Sequence, residues 1–237
     1  MSGKTKIEWT EVSWNPVTGC SKISDGCKNC YAEKLSRRLV AMHNPRYKNG
    51  FEVTIHDDLI ELPLKWKSPR VIFVNSMSDL FHEAIPDDVI LRIFKTMNQC
   101  PQHTFQVLTK RPERLVDLNS RITWTKNIWM GVTIENNKYL HRADLLRKTD
   151  AHIKFISAEP LLGEIGNIDL TNIDWVIVGG ESGPCARPMD KDWVIQIRER
   201  AKKSGTAFFF KQWGGTNKKK AGRLLDGKTY DEYPSKS

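Results

Sequence analysis

Hydrophobic residues recur along the chain in short, nearly continuous runs. The runs occupy residues 71–74, 105–108, 128–134, 153–156, 175–178 and 207–210. Continuous rather than alternating apolar residues are typical of strands buried on both faces, as in a parallel sheet. We therefore predict a buried strand at each run, with a further strand near residues 11–14 that precedes a cysteine-rich loop.

Segments with helical spacing separate most of these runs. The clearest begins after Pro86 and places Val89, Ile93 and Met97 on one face. The other predicted helices cover residues 28–42, 112–118, 136–147 and 190–205. Strands that alternate with helices are typical of βα units, whose right-handed crossovers give a parallel sheet, open or curled towards a barrel. The predicted class is therefore α/β.

Two segments lack this regular pattern. Residues 43–68 are irregular and are predicted to be an insertion, and residues 214–237 lack periodicity. No clear linker interrupts the chain. We predict one α/β domain over residues 1–213, with residues 214–237 as a basic C-terminal tail packed on or near it.

The chain is strongly basic. It carries 37 Lys and Arg against 28 Asp and Glu, a formal net charge of +9. Such an excess favours an anionic partner such as nucleic acid, nucleotide or phosphate, although a basic surface that only aids solubility is the alternative. No apolar run is long enough to span a bilayer and the N-terminus has no apolar core, so we expect a cytoplasmic protein with no membrane partner.

Polar residues gather where the predicted strands end. In chain order, the residues that follow the strands are NSMSD at 75–79, TKR at 109–111, EN at 135–136, SAEP at 157–160, GGESG at 179–183 and KQW at 211–213. Ligands bind at the carboxyl ends of the strands in parallel α/β folds. Because the pattern recurs at every run, it predicts a strand-end active site rather than ordinary capping.

The cysteines form one cluster. Cys20, Cys27 and Cys30 lie within eleven residues, whereas Cys100 and Cys185 are remote. An odd number of cysteines with no secretory signal argues against a disulfide framework. Structural zinc takes four ligands and a fourth is not obvious, while three thiolates leave one iron of a cubane cluster open. Spacing alone favours an iron–sulfur cluster, and zinc or unliganded thiols remain the alternatives.

A three-cysteine loop that ends in Cys-x-x-Cys-aromatic and precedes repeated βα units resembles the radical S-adenosylmethionine superfamily. More closely, six motifs resemble an uncharacterised phage and prophage family described by its three-cysteine motif. The motifs are WNPVTGC at 14–20, CKNCYA at 27–32, SMSDLFH at 76–82, TKRP at 109–112, GGESG at 179–183 and KQWGG at 211–215. The superfamily usually spaces its cysteines by three and then two residues, whereas this chain spaces them by six and then two.

The resemblance implies a partial, open TIM-like barrel with an N-terminal cysteine loop. It also implies a [4Fe–4S] cluster on Cys20, Cys27 and Cys30, whose open iron takes the amino and carboxylate groups of S-adenosylmethionine. A flavodoxin-like or ferredoxin-like electron donor would supply the electron that releases a 5′-deoxyadenosyl radical. Charge and phage context make a nucleotide or nucleic acid the leading expectation for the substrate, acted on in the host cytoplasm.

Cofactor contacts are expected from one aromatic residue and several strand-end residues: Tyr31, Ser76, Asp79, Lys110 or Arg111, and Glu135. Tyr31 would pack against the adenine, Ser76 and Asp79 would accept from the methionine ammonium, a base at 110 or 111 would pair with the carboxylate, and Glu135 would accept from the ribose. The ordinary alternatives are core packing for Tyr31 and helix capping for Ser76 and Asp79. Substrate contacts are expected from the later strand ends: Glu159, Glu181, Arg187, Lys211, Gln212 and Trp213.

Two other functions remain open. One is a nucleic-acid-binding protein stabilised by zinc, and the other is a subunit that carries a cluster but does not bind S-adenosylmethionine. Metal content separates the zinc-stabilised protein from the radical S-adenosylmethionine enzyme, because a cubane cluster contains about four irons and four sulfides whereas a structural site binds a single zinc without sulfide.

Overall fold

The computed structural model of the chain describes residues 3–5, 7–165 and 167–235. It divides into two compact units. The first unit comprises the described residues of Met1–Ile23, Cys30–Met130 and Thr149–His152, and the second those of Ser24–Asn29, Gly131–Lys148 and Ile153–Ser237. Residues 1, 2, 6 and 166 of the predicted domain, and residues 236–237 of the predicted tail, lie outside the described residues.

Strands and helices alternate along most of the chain. The strands are β1 (Gly3–Lys4), β2 (Val12–Trp14), β3 (Val17–Thr18), β4 (Thr54–Ile55), β5 (Val71–Val74), β6 (Thr104–Thr109), β7 (Ile128–Thr133), β8 (Ile153–Ala158), β9 (Trp175–Gly179) and β10 (Ala207–Gln212). The helices are α1 (Tyr31–Ala41), α2 (Asp57–Ile60), α3 (Asp87–Asn98), α4 (Pro112–Leu118), α5 (His141–Arg147), α6 (Lys191–Ser204) and α7 (Lys218–Ala221). Every predicted strand is present, which confirms the α/β class.

In the first unit, β2, β5 and β6 run parallel as neighbours, and β1 pairs antiparallel with β2. Ile72 and Phe105 face each other across β5 and β6 and are fully buried. Helix α3 begins after Pro86, with two aspartates in its first turn that favour the helix N-terminus. Its residues Ile93 and Met97 are fully buried, and each such burial contributes about 1.5–3 kcal/mol.

In the second unit, β8, β9 and β10 run parallel as neighbours. Helix α6 is capped by Asp190, whose side chain accepts from the backbone of Asp192, and it ends at Gly205 in a left-handed conformation. The C-terminal segment packs on β10, because Phe209 forms an antiparallel bridge with Asp231. The side chains of Lys218 and Lys219, part of the predicted basic tail, lie outside the described side chains.

The structure differs from the sequence prediction in three segments. The first helix, predicted over 28–42, begins only at Tyr31, because Cys30 has a non-helical backbone with φ −50° and ψ 123°. The helix predicted over 136–147 is a 3₁₀ turn, Asn137–Tyr139, followed by α5. The predicted insertion at 43–68 contains β4, which pairs with β3, and α2. No helix among the described residues is long and apolar enough to cross a membrane.

Candidate functional site

The three clustered cysteines lie between β3 and α1, form no disulfide within the described part of the chain, and are partly exposed. Cys20 and Cys30 belong to the first unit, whereas Cys27 belongs to the second. Among the described residues, no group of three or more His, Cys, Asp or Glu side chains could hold a single metal ion.

Cys20 is held by a turn that only glycine can make. Gly19 has φ +86°, and a Cβ at this position would lie 2.1 Å from the backbone oxygen of Glu52. The Gly19 amide donates to Met77 at 2.9 Å, and the Cys20 amide donates to Phe51 at 3.1 Å. The backbone before Cys20 is thus fixed on both sides by hydrogen bonds within the first unit.

Arg111 contacts the thiol of Cys20. Its Nη1 donates to Cys20 Sγ at 3.6 Å and to Asp79 Oδ2 at 3.2 Å. Its Nε donates to Glu83 at 2.9 Å, and its Nη2 donates to the hydroxyl and the backbone oxygen of Ser21 at 2.8 and 3.4 Å. A guanidinium has five N–H groups, and these contacts use all of them. A methionine carboxylate would have to replace one of these partners.

The charge beside Cys20 is that of Arg111 rather than that of His82. Burial opposes the charge on Arg111, but Asp79, Cys20 and Glu83 outweigh burial and raise its pKa. Burial and Arg111 lower the pKa of His82. His82 Nδ1 accepts from a backbone amide, so Nε2 carries the proton and donates to the hydroxyl of Ser21 at 2.8 Å.

Asp79 joins the loops that follow β5 and β6. Its Oδ1 accepts from the Thr109 hydroxyl at 2.7 Å and from the Phe81 amide at 3.0 Å. Its Oδ2 accepts from the Lys110 amide at 2.9 Å and from Arg111. A carboxylate offers about four acceptor sites, so a methionine ammonium would have to displace one of these donors. Asp79 is only 6% exposed.

Tyr31 and Ser76 form a hydrogen bond with each other in the first unit. The Tyr31 hydroxyl donates to the backbone oxygen of Ser76, whose own hydroxyl donates to Asn15 at 3.1 Å. The Tyr31 side chain is 54% exposed, which excludes the core-packing alternative. Its ring therefore lies at the surface, directly after Cys30.

In the second unit, Glu135 binds the segment that carries Cys27. Glu135 is fully buried and pairs with Arg142 at 3.0 Å. Its other oxygen accepts from Ser24, whose hydroxyl lies 3.5 Å from Cys27 Sγ. Gly26 is pressed against Glu135, since a Cβ there would lie 2.6 Å from the carboxylate. Glu135 thus contacts the cysteine loop itself, and contact with a ribose stays a prediction.

Glu181 and Arg187, both predicted to contact substrate, form an ion pair with 2.6 Å between Oε1 and Nη2. Glu181 Oε2 also accepts from the Arg187 amide and Nε, and from Asn29 Nδ2 at 3.0 Å. Arg187 Nη2 donates to the backbone oxygen of Asp25 at 2.9 Å. The pair therefore reaches two residues of the cysteine loop.

The stability of the fold in acid should report this ion pair. Burial raises the pKa of Glu181, but bonds from Arg187 and Asn29 outweigh burial and lower it from 4.5 to about 2. A carboxyl with a lowered folded pKa stabilises the fold above its unfolded pKa and loses that contribution as the pH falls. We expect the ionised Glu181 to contribute about 3 kcal/mol to the free energy of unfolding at neutral pH. This contribution should be lost progressively as the pH falls from about 4.5 to about 2.

Urea unfolding of the wild type and Glu181→Gln at several pH values checks this expectation. The difference in unfolding free energy between the two proteins should be largest at neutral pH and shrink with acid. A difference that stays constant down to pH 2 contradicts the lowered pKa.

Glu159 and Lys211, two further substrate candidates, also form an ion pair in the second unit. Lys211 Nζ lies 2.8 Å from Glu159 Oε1, and the Ser157 hydroxyl donates to Glu159 Oε2 at 3.1 Å. The Glu159 and Lys211 side chains are 13% and 18% exposed. Glu159 directly follows β8 and Lys211 is the last residue but one of β10, so both lie at the carboxyl ends of their strands.

The remaining substrate candidates pack on the glycine-rich loop and the C-terminal segment. Gln212 Nε2 donates to the Gly180 backbone at 2.8 Å. Trp213 Nε1 donates to the Leu224 backbone at 2.8 Å, and its ring packs against Phe210. Gly180 lies so close to Trp213 that a Cβ would stand 2.1 Å from the Trp213 backbone oxygen. The GGESG motif thus requires its second glycine for close packing.

Sequence reasoning missed several polar residues of the cysteine loop and of the side-chain network around it. The missed residues are Ser21, Ser24, Asn29, His82, Glu83 and Arg142. Four of them could have been found from the sequence. Ser21, Ser24 and Asn29 are polar residues between the clustered cysteines, and His82 is the last residue of the SMSDLFH motif. Nothing in the sequence indicated Arg142, because a charged residue in a predicted helix is usually expected to face solvent.

Comparison with known proteins gives a family and a fold. The profile of a family described as "Protein of unknown function (DUF5131)" matches residues 4–234. No curated protein matches the chain. Solved structures of spore photoproduct lyase are similar, among them a double mutant with bound AdoMet and dinucleoside spore photoproduct at TM-score 0.50, and a single mutant with dinucleoside spore photoproduct at TM-score 0.52.

Each of these lyase structures is 12% identical to the chain, and the match covers 86% of this chain. The chain spans 64% of the length of the lyase. At this identity the likeness shows the fold alone, which is the predicted class of parallel βα repeats in a partial barrel.

Proposed function

The chain belongs to the family described as "Protein of unknown function (DUF5131)", and we propose that it is a radical S-adenosylmethionine enzyme. Cys20, Cys27 and Cys30 would hold a [4Fe–4S] cluster, and S-adenosylmethionine would bind its open iron. The observation that carries the proposal is the three-cysteine motif, which directly precedes α1 in a fold similar to that of a lyase with bound AdoMet.

The residues present fit such a cluster by their chemistry. Thiolates are the ligands that iron–sulfur clusters take, and three of them leave one iron open. All three cysteines are partly exposed, and none is in a disulfide within the described residues. Arg111 donates to the sulfur of Cys20, and hydrogen bonds to ligand sulfurs are among the features that set the reduction potential of a cluster. When bound, the cluster supplies the electron that cleaves S-adenosylmethionine.

Several residues of the first unit would orient the cofactor rather than react. Arg111 donates to the Cys20 thiol, and Lys110 or Arg111 would pair with the methionine carboxylate. Tyr31 presents an exposed ring directly after Cys30, as contact with an adenine requires. Ser76 lies beside Tyr31 and would accept from the methionine ammonium.

For the substrate we propose a nucleotide or nucleic acid. The net charge of +9 supports an anionic ligand, and the lyase of similar fold has a dinucleoside spore photoproduct bound. The paired and nearly buried Glu159 and Lys211 are the strongest candidates for contact with it. A phage or prophage origin, action in the host cytoplasm and a flavodoxin-like or ferredoxin-like electron donor complete the proposal.

Anaerobic reconstitution tests the class of enzyme. We expect about four irons and four sulfides per chain, an electron paramagnetic resonance signal that changes when S-adenosylmethionine is added, and slow formation of 5′-deoxyadenosine with dithionite. The reason is coordination chemistry, because the chelating amino acid fills the site that three thiolates leave open.

Two other results would contradict the enzyme. One zinc without sulfide would favour the zinc-stabilised nucleic-acid-binding protein. A full cluster whose electron paramagnetic resonance signal does not change when S-adenosylmethionine is added, with no 5′-deoxyadenosine formed, would favour the cluster-bearing partner subunit.

A further inference from the structure

The segment 24–29, which carries Cys27, has little to order it from within. It contains one 3₁₀ turn, Asp25–Cys27, in which no residue is buried. Its internal backbone bonds are those from Cys27 to Ser24 at 3.0 Å and from Lys28 to Asp25 at 3.3 Å. Fixing each residue costs about 1–2 kcal/mol of conformational entropy. A short turn without a buried side chain needs contacts from outside to stay in one conformation.

Glu181 and Arg187 supply such contacts at both ends of the segment. Arg187 Nη2 donates to the Asp25 backbone oxygen at 2.9 Å, near the start. Glu181 Oε2 accepts from Asn29 Nδ2 at 3.0 Å, at the end. Asn29 Nδ2 also donates to the backbone oxygen of Cys185 at 3.0 Å. Cys27 lies between the two held residues.

The Glu181 carboxylate of this pair is held by several hydrogen bonds and is largely shielded from water. Four N–H groups from Asn29 and Arg187 converge on the Glu181 carboxylate, which is 6% exposed. These contacts use both oxygens, so little acceptor capacity is left for a substrate. Charge-assisted bonds of this kind are about twice as strong as neutral ones. Glu181 is therefore better suited to hold the chain than to bind a ligand.

We infer that Glu181 and Arg187 are positioning residues, which fix segment 24–29 so that the Cys27 thiol is preorganised as a cluster ligand. The inference rests on the proposed function. It gives the GGESG motif the role of holding the cysteine loop instead of binding the substrate. The motif delivers Glu181 because its Gly180 allows the close approach to Trp213 described above.

The test uses the full chain in two states, without and with the cluster. The variants are Glu181→Gln and Arg187→Lys, and the control is Asp226→Asn, which breaks an ion pair to Lys191 and Arg198 elsewhere in the second unit. In the metal-free protein, hydrogen exchange of residues 24–29 and alkylation of Cys27 are followed by peptide mass spectrometry. Circular dichroism confirms that each variant is folded.

We expect roughly tenfold faster alkylation of Cys27 and faster exchange of segment 24–29 in Glu181→Gln. Arg187→Lys keeps the charge but loses the fork-shaped contact, so its effect should be smaller and of the same sign. Asp226→Asn should leave both rates unchanged. After reconstitution, Glu181→Gln should bind less iron and show an altered electron paramagnetic resonance signal.

Unchanged exchange and alkylation in both variants would overturn the inference, as would a full cluster with an unaltered signal in Glu181→Gln. The proposed function fails separately, when the wild type binds no cluster. If Glu181→Gln does not fold, Arg187→Lys decides the question by the same measurements.

Discussion

Replacing Cys20, Cys27 or Cys30 by alanine is expected to abolish cluster binding. Each cysteine supplies one of three thiolates, and no further cysteine lies in the same loop. Loss of one thiolate leaves two irons without a protein ligand, so the cluster should not survive isolation. Iron and sulfide contents and the visible spectrum of the reconstituted variants measure the effect, and all three should fall close to zero.

The two remaining cysteines are the matched controls. Cys100 is fully buried, and burial raises the pKa of its thiol, which disfavours metal binding. Cys185 is exposed, and it is its backbone oxygen that contacts Asn29, which alanine would preserve. Both variants should keep a full cluster. A full cluster in Cys20→Ala, or its loss in Cys185→Ala, would overturn the ligand assignment.

The strands were predictable because their signal is local. Buried parallel strands are continuous apolar runs, and the run at 71–74 coincides with β5 (Val71–Val74). Boundaries that depend on a single backbone conformation were not predictable. The first helix has helical spacing from residue 28, yet Cys30 is non-helical and α1 begins after it. The short pair β3 and β4 has two residues per strand, too few for any periodicity.

The sequence placed the polar residues at the strand ends, but it did not show which of them are already bound within the chain. Asn29 and Glu181 are 152 positions apart, and Ser24 and Glu135 are 111 apart. No local pattern connects such pairs. The consequence for function is direct, since an acid at a strand end can hold the scaffold as readily as it can bind a ligand. Which role it has depends on partners that only the folded chain brings together.

Asp79→Asn is expected to lower the free energy of unfolding by about 3–5 kcal/mol, the usual cost of removing one partner of a buried ion pair. Asp79 and Arg111 have side chains that are 9% and 10% exposed. An amide at position 79 cannot accept on both atoms, so the donors on one side of this side chain lose their acceptor, whichever way the amide is turned. Urea unfolding measures the change.

Asp58→Asn is the matched control for the same measurement. Asp58 pairs with Arg46 through two bonds of 2.6 and 3.0 Å, but its side chain is 65% exposed. Exposed ion pairs contribute little to stability, so its loss should be far smaller than that of Asp79. Comparable losses of unfolding free energy in the two variants would show that the burial of Asp79 does not make its ion pair more important for stability than an exposed one.

The Asp79→Asn variant also distinguishes a structural role of Asp79 from a role in binding S-adenosylmethionine. If the carboxylate chiefly joins the loops after β5 and β6, Asp79→Asn destabilises the metal-free protein, where no S-adenosylmethionine can bind a cluster. If it chiefly accepts from the methionine ammonium, the metal-free protein keeps its stability and only the affinity of the reconstituted protein for S-adenosylmethionine falls. All four bonds to Asp79 come from the chain itself, so we expect the first result. Unchanged stability with weakened binding would restore Asp79 to the cofactor site and require one of those donors to move away when the ligand binds.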